Sequence, residues 1–217
     1  MDDAATWKLI HHERAAMADT LSTLTTAQWT APSLCGGWSV RETAAHIVLG
    51  SEQTAPHFLA RMAASGFRFN HMMDRDARST GLRPTDELIA RLRARVTTTN
   101  HPPAPVKTML GEIVVHGDDI RRPLGLTSDT GTDAIAACLE MYKTASFPMG
   151  TKKRIDGLRM VATDVGWSHG TGPEVSGPGL AMLMAMTGRA GGLEELSGEG
   201  LPTLRRRMTS AGATSMS

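Results

Sequence analysis

Glu112, His116 and Asp119 fall at i, i+4 and i+7 of the run GEIVVHGDDIRRPL, residues 111–124. At 3.6 residues per turn they share one helical face. Met109, Ile113 and Ile120 run beside this polar stripe, which turns the acid and the imidazole partly inward. Burying a carboxylate and an imidazole is costly unless each has a partner, and a divalent cation satisfies both. The same spacing also suits a hydrogen-bonded core histidine beside an exposed glutamate, so a third donor from another element has to decide between the two. His46 is the candidate third donor. It shares a helical face with Thr43, Gly50 and Gln53, small or polar residues that suit a cavity wall more than a packed core, although a lone histidine there also reads as a hydrogen-bonded core residue. His57 lies about 16 Å further along such a helix, too far to share an ion with His46.

Other reactive side chains narrow the chemistry. Cys35 and Cys138 are the two cysteines and form no C-x-x-C pair, which argues against a disulfide scaffold or a cysteine-rich zinc site. A metal in this chain must therefore rely on histidine and carboxylate. Cys35 itself reads as a small buried hydrophobe, with a redox thiol near a pocket mouth as the other reading. His11 and His12 occupy adjacent faces of one helix, so at most one points inward.

The chain that must position these groups has 217 residues, enough for one domain or two small ones with a real core. Hydrophobic residues at 41% and charged residues at 21% are ordinary for a soluble globular protein. Lys plus Arg number 23 against 22 Asp plus Glu, a formal charge of +1, so no nucleic-acid or anionic-membrane surface is advertised. No apolar run approaches a membrane span, and acidic residues stand where a signal peptide needs basic ones. The expected location is the cytoplasm.

Apolar periodicity predicts a first helix over about residues 4–24, with Arg14 interrupting the stripe where a hydrophobe belongs. A breaker-rich loop over 28–38 follows, in which Trp29 and Trp38 should plug the end of the bundle with their ring N–H groups hydrogen-bonded. Ser39 and Glu42 form a capping box that starts a second helix, whose core stripe reads Val40, Ala44, Ile47, Phe58 and Met62. Residues 66–83 read as polar and irregular, a loop with room for a short helical turn. Thr85 should cap a third helix with Leu88, Leu92 and Val96 inward, ended by the proline run of residues 100–105. The fourth helix, over about 104–122, carries Glu112 and His116. Arg121 and Arg122 in its last turn read as surface charges favourable to the dipole, and Asp118 as solvated. Four helices with few strands predict an antiparallel four-helix bundle over residues 1–125, in which helix two offers His46 and helix four offers Glu112 and His116. Residues 126–208 then read as a small α+β domain: a helix at 133–144, strands at 158–162, 166–170 and 173–177, and helices at 180–187 and 193–196. Small polar residues at 209–217 predict a disordered tail.

The ordered blocks QW (28–29), PSLCGGWSVR (32–41), AH (45–46) and HGDDIRRPLG (116–125), with Asp164 to Trp167, GPEVSG (172–177) and Gly188-Arg189, resemble the mycothiol-dependent maleylpyruvate isomerase-like family of the DinB-like bundle superfamily. Gly36 departs from the proline common in that family's Cys-Pro-Gly-Trp turn. The resemblance implies a mainly α protein, a DinB-like bundle followed by a small α+β domain, with a divalent metal, usually zinc, held by His46, Glu112 and His116.

It also implies mycothiol as co-substrate. Three protein ligands leave a tetrahedral cation one open position, and a thiol placed there loses its proton near neutral pH. Such a thiolate isomerises a small electrophile by adding and leaving, or remains attached as an S-conjugate, making the protein an isomerase or a transferase. Asp119 is the expected support for a ligand ring, or the partner of a helix-end arginine. Trp167 and His169 read as turn and core residues, with a cleft between the domains as their alternative. Two rival readings stand: a hydrolase using metal-bound water, and a non-catalytic binding or stress-response module stabilised by its metal. The sequence leaves room for a homodimer.

Overall fold

Helix α1 spans Asp3–Ser22 and opens on Asp2, whose side chain accepts from the Ala5 amide at 2.8 Å. Ile10, Met17, Ala18 and Leu21 give it a buried face, and Glu13 and Arg14 are buried with them. A short helix α2, Thr26–Thr30, occupies the start of the segment expected to be all loop, held by a Thr25/Gln28 capping box. The Ser39/Glu42 capping box starts α3, Val40–Glu52, as its sequence dictates.

The second helix does not continue to Met62. Pro56 lacks an amide donor, and its ring would collide with the carbonyl four residues back, at Glu52. The chain turns extended at Gln53, Thr54 caps a new helix, and α4 runs Ala55–Ala64 with none of its residues buried. Phe58 and Met62 therefore leave the expected core stripe. The polar stretch at 66–83 is not irregular either: Phe69–Gly81 forms α5, which buries only Met72, Ala77 and Gly81. Its charges are tied up in ion pairs, Arg78 with Asp74 and Glu42, and Asp76 with Arg61 and Arg75. Helix α6, Thr85–Arg93, begins at Thr85 and has Pro84 rather than Thr85 in the cap position; Val96 lies beyond its end. Helix α7, Lys107–Arg121, passes into a 3-10 turn at Arg122–Leu124 and ends on Gly125 with a left-handed φ of 65°.

Together α1, α3, α6 and α7 make the expected bundle: α7 and α6 each pack on both α1 and α3, and α5 lies against α3. The computed structural model describes residues 1–146 and 149–214. Its contacts divide the chain into two units, Met1–Asp129 and Thr130–Ser217, a boundary a few residues beyond the one read from the sequence.

The second unit is the expected α+β type. Helix α8, Thr132–Tyr142, and a short α9, Thr151–Ile155, precede a three-stranded sheet of order β2-β1-β3, where β1 is Arg159–Ala162, β2 Trp167–His169 and β3 Glu174–Gly177. β1 pairs antiparallel with β2 and parallel with β3. Helix α10, Gly179–Met186, is apolar all round and buried between α8, the sheet and a 3-10 segment at Ala190–Glu195. Asp164 Oδ1 accepts from the Gly179 amide at 2.7 Å and so fixes where α10 starts. A last helix, α11, runs Leu201–Thr214; the end of the expected tail, residues 215–217, lies outside the described residues. No helix among the described residues is long and apolar enough to cross a membrane.

Candidate metal centre

Helices α3 and α7 pack side by side, and the stripe that each turns toward the other carries the three expected donors. His46 Nε2 lies 2.9 Å from Glu112 Oε2, and His116 Nε2 lies 3.5 Å from the same oxygen. The two imidazoles meet edge to face, with centroids 4.7 Å apart and planes at 81°. One ligand atom from each of the three residues falls within 4.8 Å of the others. Around a tetrahedral ion with bonds of about 2.1 Å, donors stand about 3.4 Å apart. The spacing therefore suits a small divalent cation after shifts of a fraction of an ångström to about one ångström.

The surroundings hold these groups in place. Asp119, fully buried, sets Oδ2 at 2.9 Å from His116 Nδ1, the nitrogen facing away from Glu112. A carboxylate there holds a proton on Nδ1 and turns Nε2 toward Glu112, the nitrogen that would ligate a cation once its own proton is displaced. The Trp38 ring sits 5.2 Å from the His46 ring, and its N–H donates to Asp74 Oδ1 at 2.9 Å, the hydrogen bond its sequence position called for. Trp29 is buried, as expected.

Burial by itself would push the Glu112 carboxyl up, but hydrogen bonds from His116 and His46 hold it well below the ordinary carboxylate range. Burial would likewise push His116 down; Asp119, Cys35 and Glu112 together hold it well above an ordinary imidazole. Without a cation, the group is thus a carboxylate clamped by a charged His116. The Glu112 side chain keeps 40% of its exposure, so solvent reaches the centre. Beside it a cavity of about 20 Å³ is walled by His46, Glu112, Gly50 and Arg14, room for about one water-sized species.

Several neighbours depart from their sequence reading. Cys35 is half-buried rather than a packed hydrophobe, and its sulfur joins His116 and Asp119 in a second cluster within 4.8 Å. Asp118 is not solvated: it is 3% exposed and pairs with Arg122 Nε at 2.7 Å. Arg121 is not a surface charge either. It is 3% exposed and donates to Thr20 Oγ1 on α1 at 3.2 Å. The cause is that α1 and the loop of residues 31–38 cover the end of α7, with the Leu34 amide donating to the Asp119 carbonyl at 3.0 Å. A cluster of this kind was not readable from helix periodicity, because the covering segment is irregular. His57 lies on α4, apart from the three donors. In the second unit Trp167 and His169 lie on β2, and the Trp167 N–H donates to Glu140 at 3.1 Å.

The first unit is thus a helical bundle whose facing helices bring two imidazoles and a carboxylate to one point, the framework of bundle proteins that build metal centres from side chains on neighbouring helices. Residues 10–121 match the family model described as the mycothiol maleylpyruvate isomerase N-terminal domain, and the chain belongs to that family. Two crystal structures of the mycothiol-dependent maleylpyruvate isomerase, one of them a histidine-to-alanine mutant, share the fold. Each superposes with a TM-score of 0.64 over 92% of this chain and 93% of the other, at 15% and 14% identity. Among curated proteins none matches the chain.

Proposed function

We propose that this protein is a mycothiol-dependent isomerase or transferase acting on a small electrophile, and that His46, Glu112 and His116 hold its divalent cation. Zinc is the ion that best suits two imidazoles and a carboxylate. The observation that carries the reading is the convergence of His46 Nε2 and His116 Nε2 on Glu112 Oε2, at 2.9 and 3.5 Å, within a chain of this family. When bound, the cation would supply a thiolate at neutral pH from a thiol that is otherwise mostly protonated.

The chain's own residues do the rest. Asp119 holds the His116 ring by its far nitrogen, so that Nε2 stays presented. Trp38 covers one side of His46 and limits water there. Glu112 sits where a co-substrate can reach it from solvent. The electrophile is an activated double bond. Addition forms the C–S bond as the π pair moves onto the conjugated oxygen. Rotation and return of that pair expel the thiolate and give the isomer, whereas protonation at carbon leaves the S-conjugate. A thiol chemistry of this kind belongs in the reducing cytoplasm. Hydrolysis would need a second carboxylate as base at the open side; among the described residues that wall the cavity, Glu112 is the only acid, and both imidazoles already engage it.

Calorimetric titration of mycothiol into the protein as purified, after chelation and after zinc return tests this. Saturable binding that chelation removes and zinc restores, with helicity unchanged, is expected. Equal binding with chelator present contradicts it, and a fold that melts on chelation without any thiol affinity favours the non-catalytic module.

A further inference from the structure

Trp38 reaches His46 from a turn whose two preceding residues are glycines, Gly36 and Gly37, the second with a left-handed φ of 81°. Glycine leaves a backbone free to pivot. The turn's own bonds, from the Trp38 amide to the Cys35 carbonyl and from the Ser33 amide to the Trp38 carbonyl, both 3.0 Å, fix the chain but not the direction of the indole. Helix α5 supplies that direction. Asp74 Oδ1 accepts from the Trp38 ring N–H at 2.9 Å. Arg78, one turn further on, holds Asp74 by donating from Nε to Oδ1 at 2.9 Å and to Oδ2 at 3.1 Å.

The same guanidinium reaches two other elements. Its Nη1 donates to Glu42 Oε1 on α3 at 3.1 Å, and its Nη2 to the Gly37 carbonyl in the turn at 3.0 Å. Glu42 keeps its other oxygen for the Ser39 amide and hydroxyl, at 2.7 and 2.9 Å. One side chain thus joins the helix that bears His46, the turn that bears Trp38 and the acid that holds the indole. The Arg78 and Asp74 side chains keep 49% and 48% of their exposure, so these ion pairs add little to stability. What the planar fork of donors supplies is geometry, and the point charge of a lysine does not replace it.

We propose that Arg78 is a positioning residue of the metal centre. Through Asp74 and Gly37 it sets the Trp38 ring 5.2 Å from the His46 ring, keeping the imidazole in its ligating orientation and water off that side. This deepens the function proposed above and rests on its cation at His46, Glu112 and His116.

A double-mutant cycle tests it, with the rate of zinc loss to excess chelator as the readout. R78A and W38L should each release zinc roughly tenfold faster than wild type, R78K nearly as fast, and R78A should add nothing in the W38L background. R75A, which removes a different α5 cation paired with Asp76, should leave the rate at the wild-type value. A wild-type rate in R78A, or effects of R78A and W38L that simply add, overturns the proposal. The His46 ring-proton shifts of the metal-free protein give a second readout that needs no ion. The Trp38 ring current displaces them, and R78A should carry them toward their W38L positions. His46 shifts unchanged in R78A overturn the proposal whether or not zinc binds, whereas wild-type protein that takes up no zinc while these shifts move indicts the metal centre instead.

Discussion

Replacing Asp119 by Asn removes a charge and leaves the shape nearly unchanged, so it isolates what the carboxylate does for His116. The Oδ2 to Nδ1 separation is 2.9 Å and Asp119 is fully buried, so the bond is a charge-assisted one screened from water. Such bonds contribute about 1.5–3 kcal/mol. With tenfold in affinity for each ~1.4 kcal/mol, D119N should weaken zinc binding roughly 10–100-fold, the range found when the partner of a ligating histidine is lost. Competition against a chromophoric chelator at neutral pH measures this directly, with the thermal stability of the chelated protein as control for folding. Zinc affinity within about twofold of wild type, in a variant that folds normally, would refute the claim that Asp119 sets the His116 ring for the ion.

Proton linkage gives a second outcome. Because His116 is held well above 6.5 and Glu112 well below 4.5, their mutual stabilisation of the metal-free fold is complete only between those values. The raised histidine's share is lost as pH climbs through its folded value, and the lowered glutamate's share as pH drops through its own. Zinc must displace the His116 proton, so titration in buffers of different ionisation enthalpy near pH 7 should show release of about one proton per ion, and affinity should rise with pH. Arg121→Ala should cost about 3 kcal/mol in urea unfolding with zinc content unchanged, because it takes the neighbouring cation away from buried Glu13 on α1. In the second unit, Gly179→Ala should lose about 1–3 kcal/mol, since an added Cβ meets Ile135 Cγ2 at 2.8 Å in a packed core; an unchanged melting transition would contradict that packing.

Glu112, His116 and Asp119 were legible because one helix carries all three, and helical spacing fixes which side chains share a face. His46 was legible as a candidate from its small and polar neighbours, but its meeting with Glu112 depends on how α3 and α7 pack. The break after Glu52 is written in Pro56, but the apolar residues Phe58 and Met62 continue the stripe across it and mask it. Helix α5 was hidden for the opposite reason: its sequence is polar overall, and the short stripe of Met72 and Ala77 that it buries is outnumbered by charged residues paired with Glu42 and Arg61. Arg14 was visible as an anomaly on α1, yet its meaning lies in the carbonyls of Arg95 and Thr98, which only tertiary structure brings beside it. The burial of Asp118 and Arg121 is not legible, because a last helical turn is usually solvated and nothing in its own sequence announces that a loop folds over it.

Diffraction from crystals grown with zinc, collected on both sides of the zinc absorption edge, tests the central claim most directly. One strong anomalous peak is expected, bonded at about 2.0–2.2 Å by His46 Nε2, His116 Nε2 and a Glu112 oxygen. A peak elsewhere, or none between α3 and α7 in zinc-saturated crystals, would contradict it.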